Sequence, residues 1–204
     1  MSWFYYRRDY TRWGYLLLLA LVCTPSPSHA MPLDQVGEVI VGASYNEVSK
    51  MWTQREVSLW AGLDASNRKV FTVRGESHDR MVEVQVPFNK KNLIRLAQLL
   101  TAGKEWARIA AKKRAESVKI LGCFPRHSWL CDVPGVPGSA GQMALTFWST
   151  DEGQRSHLIV DLVDAHSRCC NRTQIYVDAA KISSLIDNVK QLDSAMKKAR
   201  KQVP

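Results

Sequence analysis

The 204-residue chain carries no sequence that fixes a reaction. G-x-S-x-G, H-E-x-x-H, a glycine-rich phosphate loop and paired C-x-x-C knuckles are all missing, so no hydrolase, zinc-protease, nucleotide or zinc-knuckle chemistry can be read from a motif. Long apolar runs are missing too. The stretch Leu16–Val22 has seven residues, whereas a membrane-spanning helix needs about 20, so no stable transmembrane anchor is expected. Acidic residues are the scarcer charge, 19 against 28 Lys and Arg, which leaves a net charge of +9. Such a balance favours anionic partners.

What is present begins with an address. Arg7, Arg8 and Arg12, the apolar run to Val22, then Ser28 and Ala30 follow the charged, apolar and small-residue order of a secretory signal. Residues 1–30 therefore read as a signal peptide cleaved after Ala30, with residues 31–204 as one mature domain in the bacterial periplasm or secreted. An acylated Cys23 is a rival reading, but Val22 stands where a small residue is usual. Cleavage removes Arg7, Arg8, Arg12 and Asp9, and the remainder stays basic at +7.

Four of the five cysteines follow residue 30: Cys123, Cys131, Cys169 and Cys170. An even number in an oxidising compartment reads as two disulfides. Joining Cys123 to Cys131 would force a strained ring between the adjacent Cys169 and Cys170, so each of the first two is expected to pair with one of the second two. With His127 and His166 the same cysteines hold the atom types of a zinc site, but zinc needs thiolates that this compartment would oxidise. No metal and no cofactor are expected.

The pattern along the chain predicts an α+β fold. Ser44-Tyr-Asn-Glu47 fits a capping box ahead of Val48, Met51 and Trp52, which predicts a short helix over about 44–54. Alternation then predicts strands at 57–61, 70–74 and 80–86, followed by a helix capped by Asn89 that runs to about 115 with a break at Gly103. A second series follows: strands at 118–123, 143–148, 156–163 and 173–177, separated in part by the Pro- and Gly-rich loop 125–142, then a helix capped by Asp178. Val57-Ser-Leu-Trp60 matches Leu145-Thr-Phe-Trp148, and Leu93, Leu96, Ala97 and Leu100 match Ile182, Leu185, Ile186 and Val189. The expectation is a duplicated β-β-β-α unit, with pseudo-repeats at about 55–115 and 142–201, in which helices cover one face of antiparallel sheet.

Alternation also divides the sheet faces. Val57, Leu59, Val82, Val84, Val86, Leu145, Phe147, Leu158, Val160, Ile175 and Val177 fall on the apolar side. Trp60 and Trp148 fall on the other, with Arg74, Tyr176, Glu83 and Gln85, as candidates for binding. No residue is singled out as catalytic: His78-Asp79 fits a turn, and Asp161 and Asp164 are three apart in a strand. The basic clusters Lys90-Lys91, Lys112–Arg114 and Lys197–Lys201 suit helix ends or an anionic partner.

The function that follows is an exported, non-catalytic binding or accessory protein, such as an inhibitor or immunity-type protein, acting on a protein or an anionic envelope component. One alternative is a nucleic-acid binder, because sheet followed by helix, twice over, is similar in shape to single-strand-binding folds of the whirly and coactivator type, where sheet aromatics stack with bases. Export makes nucleic acid the less expected partner. The other alternative is an envelope hydrolase with an unrecognised site.

Overall fold

The computed structural model describes residues 33–78, 80–124, 141–164 and 172–201, all within the unit Met31–Pro204. Eight strands and two long helices follow in order: β1 (Asp34–Asn46), β2 (Met51–Leu63), β3 (Lys69–Glu76), β4 (Met81–Pro87), α1 (Lys90–Lys113), β5 (Ser117–Phe124), β6 (Gln142–Thr150), β7 (Arg155–Val163), β8 (Arg172–Asp178) and α2 (Ile182–Lys201). The strands form one sheet in the order β4-β3-β2-β1-β8-β7-β6-β5, with every pairing antiparallel. The α+β class therefore holds. Among the described residues no helix is long and apolar enough to cross a membrane.

The first expected element is overturned. Residues 44–54 are not a helix but the two arms of the β1–β2 hairpin, with Ser44 opposite Thr53 and Tyr45 opposite Trp52. Asn46, inside the expected capping box, closes the turn instead: its Oδ1 accepts from the amides of Val48 at 2.9 Å and Ser49 at 3.0 Å. An eleven-residue helix is marginal by itself, while an Asx-type turn offers the same amides a local acceptor and lets Val36, Val39, Ile40 and Val41 run as β-branched strand. This adds a fourth strand to the expected meander. A bulge hides it from the alternation rule, since β1 advances four residues from Val36 to Ile40 while β2 advances two from Leu59 to Val57, which leaves exposed Glu38 midway between two buried side chains. Gly37 takes φ +71 there, and a Cβ would fall 1.9 Å from Asn188 Oδ1. Asn188 binds the bulge from α2, accepting from the Glu38 amide at 3.2 Å and donating to the Glu38 carbonyl at 2.7 Å.

The later elements follow their expected places closely. Asn89 caps α1 by accepting from the Asn92 amide at 2.8 Å, and the helix runs through Gly103 without a break. Gly103 is there for a close approach, because a Cβ would stand 3.2 Å from Leu121 and 3.3 Å from Leu158. Asp178 caps a 3-10 turn, Ala179–Lys181, that leads into α2. All eleven residues assigned to the apolar side of the sheet are buried.

Each helix lies on strands from the other half of the chain. α1 packs on β5, β6 and β7, whereas α2 packs on β1 and β2, and the two helices touch. Trp106 of α1 stacks on Phe147 of β6 at 6.3 Å. Leu185, Val189, Leu192 and Met196 of α2 join the same buried cluster as Val36, Ile40 and Leu59.

Candidate binding face of the sheet

The helices cover one face of the sheet and leave the other without a helix among the described residues. Directly opposed residues in antiparallel strands share a face, so the register identifies what this outer face presents. One row runs unbroken across six strands: Ile120, Thr146, Ile159, Tyr176, Ala43 and Gln54. The neighbouring row holds Val118, Trp148, His157 and Asp178. Val118 is 68% exposed and Ile120 42% exposed, so the band ends in apolar side chains on the outermost strand.

Five rings meet in this band. Trp148 stacks on His157 at 5.5 Å and meets the edge of Tyr176 at 5.5 Å. Tyr176 in turn packs edge-on against Trp52 at 5.0 Å, and Trp52 leans on Tyr45 at 5.3 Å. Burial pushes the His157 imidazole below its usual value, with Asp178 opposing and Arg155 assisting. Its Nδ1 is buried without a hydrogen-bond partner among the described residues. Burial also raises the Tyr176 phenol, and Asp161 adds to that. Asp161 is itself buried on this face, where it accepts from Arg172 Nε at 2.8 Å and Gln174 Nε2 at 2.9 Å.

Trp60 and Arg74 share the face but form a separate group. The Arg74 guanidinium lies 4.1 Å from the centre of the Trp60 ring and Arg74 Nε lies 2.7 Å from Glu83, while Trp60 Nε1 donates to Ser58 Oγ at 2.9 Å. Trp60 stands eight residues along β2 from Trp52, about 27 Å of extended strand. The structure thus brings Trp148 to Tyr176 and Trp60 to Arg74, and no ring contact joins the two pairs. Sequence reasoning missed Tyr45, Trp52 and His157. The spacing Trp52, Gln54, Glu56, Ser58, Trp60 carries the period of two that would have placed Trp52 on the face.

At the end of the sheet a polar cleft of about 360 Å³ is lined by residues that include Tyr45, Asn46, Arg55, His78 and Arg172. His78 is exposed there. Asp79, His127, Cys131, His166, Cys169 and Cys170 lie outside the described residues, and Cys123 is disulfide-bonded. Among the described residues no group of three His, Cys, Asp or Glu is placed to hold a metal ion. Comparison with known proteins finds no matching family, no significant match among curated proteins and no significant match among solved structures.

Proposed function

We propose that this chain is an exported binding protein without catalytic activity, which holds a protein partner of the cell envelope on the outer face of its sheet. The observation that carries the reading is the five-ring band, flanked by exposed Val118 and Ile120. Large rings with a polar edge supply contact area at low entropic cost and dominate binding hot spots. Among the described residues, the cations that single-stranded nucleic acid would require beside such rings are engaged or sit elsewhere, Arg155 next to His157 being paired to Asp151. Lys90 and Lys91 begin α1, and Lys112 and Lys113 end it, while Arg74 and Arg172 on the outer face are paired to Glu83 and Asp161. A protein partner therefore fits the face better than a polyanion.

The same reading takes the two runs of four strands and a helix as a duplicated unit, residues 1–30 as a signal cleaved before Met31, and Cys123, Cys131, Cys169 and Cys170 as a disulfide framework. N-terminal sequencing of exported protein should begin at Met31. Non-reducing peptide mapping should join Cys123 and Cys131 to the adjacent pair, and free thiols would reject the framework. For the face itself, immobilised protein should retain an envelope protein that Val118→Asp with Ile120→Asp releases at least about tenfold more readily, while the thermal midpoint holds. Equal retention by the variant, or retention of single-stranded oligonucleotide in its place, would reject the reading.

A further inference from the structure

We infer that the end of the β1–β2 hairpin is a second contact surface, built to dip into the headgroup region of an anionic lipid membrane. Pairing between β2 and β3 stops at Val57 opposite Gly75. Met51–Arg55 therefore reach past the end of β3 at Glu76, about 17 Å of extended strand. On the other side β1 meets β8 through the single pair Ala43 and Tyr176.

The projecting end is apolar in a graded order. Val48 in the turn is 95% exposed and Met51 is 61% exposed, followed by the paired rings of Trp52 at 51% and Tyr45 at 40%. Among the described residues these are four of the eight exposed large hydrophobics, gathered in eight consecutive positions. Beside the rings runs the polar cleft, lined by Asn46, Glu47, Thr53 and Arg55 of the hairpin and by Arg172 of β8, with Arg55 and Arg172 paired to Glu76 and Asp161. An aliphatic end followed by an amphipathic ring collar is the order of polarity met on leaving a bilayer through its interface. From Val48 to the Tyr45–Trp52 rung is roughly 7 Å of strand, within the 5 to 10 Å to which apolar faces sink into the headgroup boundary.

Charge selects the kind of lipid. Lys50 and Glu47 offset each other at the turn, so the attraction must come from the molecule as a whole, and residues 31–204 carry +7. An anionic surface draws such a protein in, and the apolar end then holds it. A recognition pocket on another protein would not need aliphatic and aromatic layers stacked along one axis.

Flotation of residues 31–204 with vesicles tests this. The protein should float with mixed phosphatidylcholine and phosphatidylglycerol vesicles, less with phosphatidylcholine alone, and less as salt rises. Val48→Asp with Met51→Asp should weaken partition at least about tenfold, since each loses the burial of an aliphatic side chain and gains a charge to desolvate. Both side chains are exposed, so the circular dichroism melt should not move. The outer-face variant Val118→Asp with Ile120→Asp should float as the parent does, which separates this inference from the partner-binding reading. Failure of the parent to float with anionic vesicles, equal flotation of the tip variant, or photo-crosslinking from position 48 to a protein without any lipid binding would overturn it.

Discussion

Asn188 shows how much one side chain can hold. It is 2% exposed, and its amide satisfies both the N–H and the carbonyl of Glu38 where the β1 bulge leaves the ladder. Asn188→Leu keeps the volume but strands two backbone groups against an apolar helix. We expect a loss of about 1 to 3 kcal/mol in urea denaturation, and a variant as stable as the parent would show that water replaces the amide. His157 sets a pH dependence instead. Burial lowers its folded-state value below the ordinary 6.5, so the unfolded chain takes up the proton first as pH falls. The stability tied to neutral His157 is complete above that ordinary value and declines as pH drops towards the folded one. His157→Gln should flatten this part of the pH profile relative to the parent, and parallel profiles would remove His157 as its source.

At the scale of elements, what could be read from sequence was whatever repeats without interruption. Asn89→Ala should cost about 1 kcal/mol by thermal or chemical denaturation, because the cap named from sequence is the cap in the structure. Seven strands were legible from alternation, and with them the faces of β2, β4, β6, β7 and β8, although β5 too shifts register between Ile120 and Gly122. β1 was not. Its bulge leaves exposed Glu38 midway between buried Val36 and Ile40, so the repeat that remains is a spacing of four, which helices share. The Ser44–Glu47 box then pointed to a helix, and a local signal of one turn lost to a strand that pairs along its length. The candidate face was legible to the same extent: Trp60, Arg74, Trp148 and Tyr176 stood on it, while Tyr45 and Trp52 were hidden inside the misread hairpin. His157 lay in a strand that was recognised, but nothing in the sequence said that Trp148 would stack on it, since that contact comes from the register of β6 against β7.

On the scale of the whole molecule, each half is finished by the other. Residues 31–115 contain β1 to β4 and α1, but the helix that covers β1 and β2 is α2. Produced alone, that segment should lack cooperative unfolding and should aggregate, because Val36, Ile40, Val57 and Leu59 would lose their cover. A sharp thermal transition from it would show that the halves are independent. The exchange also orders events in time. A chain made from its N-terminus exposes the first strands long before the segment that seals them, and α2 comes after every strand. Until then no intermediate length can close its core, so the polypeptide stays threadable through its synthesis, and a truncation that removes only the final helix reopens the strands made first.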